Sequence, residues 1–163
     1  MAKVICPGCG LELESQDESL DKNYNASGAC RHLYDELSAF TLSLGDKDFI
    51  HQTVADAYAA QHVKPDMKPI TVAFALIGLY LAFERGYTGR QVQKAHMELG
   101  KIRRAWPHFV LPVKKSPVTV FDVLQGLTAE NYREKINNWG ESVWMVWVPE
   151  HKNIADLVKT YLK

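Results

Sequence analysis

The chain has 163 residues, which is long enough for one domain to bury a substantial core without a covalent cross-link. Lysine plus arginine and aspartate plus glutamate each number 19, and this balance argues against a dedicated nucleic-acid-binding protein, which usually carries an excess of basic charge. The composition, 47% hydrophobic and 23% charged, is typical of a globular protein. We therefore predict a single domain over residues 1–163.

The N-terminal sequence MAKVICPG lacks the apolar segment of a secretory signal peptide. The longest apolar stretch, ITVAFALIGLYLAF at 70–83, is shorter than the ~20 residues that a membrane-spanning helix needs. We interpret it as a buried central helix that begins after Pro69 and ends before Gly86. The sequence thus predicts a cytoplasmic protein with no membrane partner, where three cysteines are more often metal ligands or inert thiols than disulfides.

Residues 1–25 differ from the rest of the chain. The stretch CPGCG at 6–10 predicts a tight turn carrying two thiols, and the polar segment after it, SQDESLDKNYN, shows no sustained hydrophobic period. We therefore predict a small zinc-knuckle-like, metal-binding arm at 1–25 followed by an irregular multi-helix bundle at 26–163, so that the fold class is all-α.

Capping residues mark the first helices of the bundle. Ser27 precedes an apolar stripe that starts at Cys30, and it is the expected N-cap of the first helix, which Gly45 ends. Asp46 or Asp48 is expected to cap the second helix, which contains DFIHQTVADAYAAQH. These signals place the single helix-entry cysteine in a first helical turn.

The second half of the chain is also predicted to be helical. The sequence TGRQ at 88–91 predicts a capping box for a helix that runs to about Arg104, and three prolines in WPHFVLPVKKSPVT predict a crossing loop. The later run SVWMVWV has strand propensity, but large apolar residues recur every four positions from Trp139 to Trp147. We therefore predict a helix there, and a C-terminal helix after Pro149.

The cysteines are the clearest functional signal. Cys6 and Cys9 have the spacing of a zinc knuckle, in which a turn aims two sulfurs at one point. Cys30 is the candidate third ligand, because a helix N-terminus favours the thiolate form that a metal needs. Two alternatives stay open: Cys30 is a small buried core residue, or Cys6 and Cys9 form a redox pair, although the βαβ context of such pairs is absent from the sequence.

A fourth ligand has to come from a histidine or a carboxylate, because the chain has only three cysteines. We predict His62, since the proline-containing loop after it lets its ring turn away from the helix. His51 and His151 stay open as alternatives, but His51 and His62 lie about 16 Å apart along one helix and cannot share an ion. The other histidines are expected in exposed or loop positions: His32, His96 and His108.

The order of CPGCG, SGAC, DAYAAQH, ERG and WGESVWMVW resembles an uncharacterised bacterial family, a domain of unknown function without an assigned activity. The resemblance covers most of the chain and implies a fold and candidate positions but no reaction. The positions that match it are Cys6, Cys9, Cys30, Asp56, Tyr58, Gln61, His62, Trp139, Trp144 and His151. The family often has His-Leu where this chain has Ala75 and Leu76, and this departure argues against any metal or catalytic centre that would rely on a histidine there.

Three functional hypotheses follow. The first is a small zinc-binding helical protein whose metal is mainly structural and which binds an unknown small ligand or protein partner. The alternative is a metal-dependent enzyme, such as a hydrolase, with a site around Asp56, Tyr58 and His62, where a carboxylate and an imidazole lie within seven residues. The third is a thiol-redox protein. The tryptophan-rich segment predicts core packing, and an apolar patch beside it would suit a homodimer.

Overall fold

The computed structural model describes residues 2–16, 23–102 and 105–162. Within these residues a small antiparallel hairpin precedes seven α-helices. The strands are β1 (Lys3–Ile5) and β2 (Glu12–Glu14), and the helices are α1 (Gly28–Ser43), α2 (His51–Gln61), α3 (Pro69–Glu84), α4 (Gly89–Leu99), α5 (Val120–Leu124), α6 (Tyr132–Val146) and α7 (His151–Tyr161), with a 3-10 turn (Val148–Glu150) before α7. The predicted all-α class is confirmed, and the arm contains the only sheet of the described residues.

The hairpin holds the cysteine turn. Val4 pairs with Leu13 at the centre of the two strands. In the turn between them, the Cys6 amide donates to the Leu11 carbonyl at 2.8 Å, and Gly10 adopts a positive φ of 81° that its lack of a side chain permits. The polar segment predicted to be irregular falls mainly on 17–22, which lies outside the described residues.

Hydrogen bonds confirm the predicted caps of α1 and α4 but not that of α2. Ser27 accepts a hydrogen bond from the Cys30 amide, and Thr88 and Gln91 form the reciprocal capping box at the start of α4. Asp46 accepts from the amides of Asp48 and Ile50, but the N-cap of α2 is Ile50 and has no side-chain cap bond, so the predicted capping of α2 by Asp46 or Asp48 is wrong. The local sequence therefore predicts where α1 and α4 begin.

One predicted boundary is wrong. Helix α4 ends at Leu99, whereas the sequence pattern predicted an end near Arg104, a residue outside the described part. Gly100 follows Leu99 directly. Glycine disfavours continuation of a helix, because fixing its backbone in the helical conformation costs more conformational entropy than for other residues. The capping signal defined the start of this helix better than the hydrophobic pattern defined its end.

Helix α3 is the centre of the bundle. Its residues from Val72 to Leu81 are almost all buried, and it packs against α2, α4, α6 and α7. This confirms the predicted buried central helix and explains why its sequence is apolar on every face. None of the helices in the described part of the chain is both long and apolar enough to cross a membrane.

The tryptophans fasten α6 to the helices around it. Trp139 and Trp147 are buried, and their indole N–H groups donate to the Gln61 side chain at 2.9 Å and to the Ala60 carbonyl at 3.2 Å. Both partners lie in the last turn of α2, immediately before His62. The segment SVWMVWV is therefore helical, as predicted, and its core packing fixes the C-terminal end of α2.

Candidate metal centre

Four potential metal ligands meet where the hairpin lies against α1 and α2. Cys6 and Cys9 come from the hairpin turn, Cys30 from the first turn of α1, and His62 from the residue after α2. One donor atom of each lies within 4.8 Å of the others. Cys9 is 6% exposed and the other three are fully buried, so the cluster is closed to solvent.

The measured distances fit a tetrahedral ion. The sulfurs of Cys9 and Cys30 are 3.9 Å apart, and the Cys30 sulfur is 3.5 Å from Nε2 of His62. Tetrahedral zinc with its usual bond lengths places two sulfurs about 3.8 Å apart and a sulfur and a nitrogen about 3.6 Å apart. All three cysteines are free thiols, and the sulfur separation is far beyond a disulfide bond of about 2.0 Å.

His62 is held with one nitrogen facing the sulfurs. Its Nδ1 lies 2.8 Å from the carbonyl oxygen of Tyr58, which can only accept, so Nδ1 carries the proton and donates. Nε2 then has a free lone pair directed at Cys30. A metal-ligating histidine is commonly fixed through its second nitrogen in this way.

Tyr58 reaches the cluster from α2. Its hydroxyl donates to the Cys30 sulfur at 3.3 Å, and its ring stacks on the His62 ring at a centroid distance of 4.0 Å. Tyr34 stacks on the other side of Tyr58, also at 4.0 Å. This aromatic column fixes the direction of both the hydroxyl and the imidazole.

The three thiols share protons unevenly. Hydrogen bonds from Cys30 and then Cys9 lower the pKa of Cys6 well below its usual value, while hydrogen bonds with Cys6 and Cys9, together with burial, raise the pKa of Cys30. The mutual hydrogen bonds thus favour ionisation of one thiol and disfavour ionisation of the other two. A divalent cation would supply the positive charge needed to deprotonate all three.

The cysteine turn at residues 6–10 packs closely against His62. A side chain at Gly8 would collide with the Asn25 carbonyl oxygen and with the His62 ring. The Asn25 amide also donates to the His62 carbonyl at 2.9 Å. From outside, the Lys115 ammonium donates to the carbonyl oxygens of Pro7 at 3.0 Å and Gly8 at 2.7 Å.

Sequence reasoning found the four clustered residues but missed the supporting roles of three others. Gly8 was noted only as part of the turn, although its small size is what lets the turn approach His62. Lys115 was placed in the predicted crossing loop, and nothing local in the sequence links it to a turn more than one hundred residues earlier. The proton-donating role of Tyr58 was also missed, although its four-residue spacing from His62 was a usable signal.

The alternative histidines lie elsewhere. His51 is hydrogen-bonded to Thr41 at 2.9 Å, and His151 stacks on Trp144 and is bonded to its carbonyl oxygen at 2.8 Å. His108 is exposed, as predicted. His96, predicted on a helix surface, is instead partly buried and stacked on Phe74, because α4 packs against α3. Among the histidines, the structure brings His62 to the thiols.

The residues suggested for a catalytic site separate into two places. Tyr58 and His62 belong to the thiol cluster, but the Asp56 carboxyl accepts from Gln52 at 3.2 Å and packs against Gly78 of α3. Tyr58 and Asp56 are two residues apart on α2 and point to different sides of it. The structure therefore gives the cluster no carboxylate from Asp56.

Comparison with known proteins gives one match. The sequence model of DUF5946, described as a family of unknown function, matches residues 4–148, a span that contains all four clustered residues. No curated protein and no solved structure matches the chain.

Proposed function

The chain belongs to DUF5946, a family of unknown function, and we propose that it is a zinc-binding helical protein whose metal is mainly structural. The observation that carries the proposal is the convergence of Cys6, Cys9, Cys30 and His62 from separate parts of the chain, with donor atoms at tetrahedral spacing. The proposed ligands are these four residues.

The donor chemistry favours zinc. Thiolate and imidazole ligands in a tetrahedral set are typical of Zn²⁺, whereas Mg²⁺ and Ca²⁺ prefer oxygen ligands in larger shells. Four protein ligands would complete the shell and leave no position for water or substrate. The burial of all four residues supports the same conclusion.

The metal would join the arm to the bundle. A hairpin with strands of only three residues is marginally stable alone, so its contact with α1 and α2 needs another source of free energy. A single ion, bound by Cys6 and Cys9 from the arm and by Cys30 and His62 from the bundle, would act as that cross-link. We accordingly treat 1–163 as one domain, with the arm at 1–25 docked on the bundle at 26–163.

The metal-stabilised bundle would then bind a small ligand or a protein partner, in the cytoplasm where reducing conditions keep such thiols available to a metal. A homodimer is one form of partner that the exposed apolar residues would suit. The metal-dependent hydrolase is the weaker hypothesis, since a closed shell offers no metal-bound water and Asp56 lies outside the cluster.

Metal analysis tests the proposal. We expect one zinc per chain by mass spectrometry of the purified protein, and anomalous scattering at the zinc edge between the four donor atoms. Cys30→Ser and His62→Ala should each lose zinc and melt at a lower temperature, while His108→Ala, a change at an exposed histidine, should do neither. Full zinc content in both ligand variants would overturn the proposed site.

A further inference from the structure

A second polar cluster on α2 surrounds Asp56 and is separate from the four metal-ligand candidates. A groove of about 320 Å³ opens between α2, α3 and α4. Its lining combines aromatic and apolar side chains with a carboxyl, a carboxamide and an imidazole; these include Tyr24, Gln52, Asp56, Ile70, Phe74 and His96. The four candidate metal ligands do not line this groove.

Asp56 is the unusual member of this lining. Its side chain is buried, with the residue only 6% exposed, and burial raises its pKa well above the ordinary range despite the hydrogen bond from Gln52. No lysine or arginine lines the groove among the described residues, so this carboxyl has no internal counter-ion. Buried carboxyl groups are usually paired with a cation, and an unpaired one in a cleft is typical of a functional site.

The fold makes room for this carboxyl. A Cβ at Gly78, in the middle of α3, would overlap the Asp56 side chain, so only glycine leaves the required space. Glycine is unfavourable inside a helix. The packing of α2 on α3 therefore accommodates an acidic side chain. An apolar residue at the same position would avoid the desolvation cost of burying a carboxyl group.

The hydrogen bonds show which kind of ligand the groove can accept. His96 donates from Nε2 to the Phe74 carbonyl at 2.9 Å, so its Nδ1 is an acceptor, which lies 3.4 Å from Nε2 of Gln52. The same Gln52 nitrogen donates to Oδ1 of Asp56 at 3.2 Å. The donors of Gln52 and His96 are thus committed, whereas Oδ2 of Asp56 accepts no hydrogen bond from the described residues.

We propose that this groove binds an organic ammonium ion, which donates to Asp56 and lays its apolar part against Phe74 and Ile70. An ammonium group would supply a donor for Oδ2 and the nearby positive charge that favours ionisation of the Asp56 carboxyl, and aromatic walls favour an organic cation. A hard metal ion would need several oxygen ligands, and a guanidinium would need both carboxylate oxygens free. Neither condition holds here, because Asp56 contributes the one carboxyl that the described residues give this lining, and its Oδ1 is occupied.

Calorimetry with a matched pair of probes tests this. Benzylamine is an ammonium ion at pH 7, and benzyl alcohol has nearly the same shape without the charge. We expect the zinc-loaded protein to bind benzylamine at least ten-fold more tightly than benzyl alcohol. Similar affinities for the two probes, or no binding of either, would overturn the proposal.

A pair of variants assigns the binding to Asp56. Asp56→Asn keeps the shape of the side chain and should lower benzylamine affinity at least ten-fold, with zinc content and the circular dichroism spectrum unchanged as evidence of folding. Asp156→Asn makes the same substitution at an exposed residue of α7 and should leave the affinity unchanged. Undiminished binding in Asp56→Asn would place the cation elsewhere, whatever the outcome for the zinc ligands.

Discussion

The hydroxyl of Tyr58 donates a hydrogen bond to the sulfur of Cys30 at 3.3 Å, while the carbonyl oxygen of the same residue accepts from His62 at 2.8 Å. Tyr58 on α2 therefore orients both Cys30, which lies in α1, and His62, which directly follows α2. Because these two contacts use the side chain and the main chain separately, a substitution can remove the first and retain the second.

Tyr58→Phe is the corresponding test. The ring should keep its stacking between Tyr34 and His62, but the Cys30 thiolate loses a donor, so we expect zinc affinity to fall about 10- to 100-fold, the usual effect of removing such a partner. Competition with a chromogenic chelator measures this. Tyr34→Phe removes a neighbouring hydroxyl that does not contact the thiols, and an equal loss in that control would contradict the specific role of Tyr58.

Gly8→Ala tests the close approach of the cysteine turn to α2. The new methyl group would overlap the His62 ring and the Asn25 carbonyl, and the turn would have to move outward. We expect destabilisation of about 1–3 kcal/mol, as in other overpacked sites, together with weaker zinc binding. Gly100→Ala is the control, because φ is −63° and a methyl group there meets only ordinary contacts. Urea unfolding and chelator competition should separate the two variants.

Lys115→Met tests the contact between the crossing loop and the arm. The ammonium group spans two carbonyl oxygens of the cysteine turn but is exposed, so we expect a loss of about 1 kcal/mol or less in global stability. The local effect should be larger: amide hydrogens in the hairpin should exchange faster, and chelators should remove zinc faster. Lys114→Met, at the adjacent exposed lysine, should change neither rate. Equal exchange rates in the two variants would show that the contact does not hold the turn.

The fold and the cluster differ in how far the sequence could predict them. Capping residues such as Ser27 and Thr88 act within a single turn, so they were identified from the sequence alone. Cys30 was found because a helix start and a cysteine coincide. His62 was favoured among three histidines from the loop after it, but its place beside the thiols depends on how α2 packs against α1.

The remaining features depend on residues that meet only in the folded chain. The links from Lys115 to Gly8 and from Gln52 to His96 join segments far apart in sequence, and neither pair forms a local motif. Asp56 was noticed for its closeness to Tyr58 and His62 along the chain, yet its position on α2 directs it to α3. Spacing in a helix gives the face of a residue, whereas the identity of the opposing helix is a tertiary property.

Gly78→Ala tests whether α3 leaves space for the Asp56 carboxyl. The methyl group and the carboxyl would compete for one volume, so we expect destabilisation of about 1–3 kcal/mol from overpacking. Adding Asp56→Ala should recover much of this loss, because the smaller side chain frees the space. Urea unfolding of the wild type, both single variants and the double variant gives the coupling free energy. A coupling near zero would contradict the direct contact.

The raised pKa of Asp56 predicts how stability depends on pH. Burial raises the pKa of Asp56 in the folded protein, whereas the pKa of an aspartate in the unfolded chain is about 3.9. Between these values the folded state retains a proton that the unfolded state releases, so the contribution of Asp56 is fully present below about pH 4 and is lost as pH rises toward the folded pKa. The maximum slope for one group is about 1.4 kcal/mol per pH unit.

Asp56→Asn should remove this dependence and become the more stable protein as pH increases. The measurement is the difference in the free energy of unfolding between wild type and variant across pH 5.5–8. His51 and His96 act in the opposite sense, because burial lowers their pKa values, but both are present in each protein and their effects cancel in the difference. The zinc ligands cancel in the same way. A difference that stays constant with pH would mean that the Asp56 carboxyl is ionised in the folded protein throughout this range.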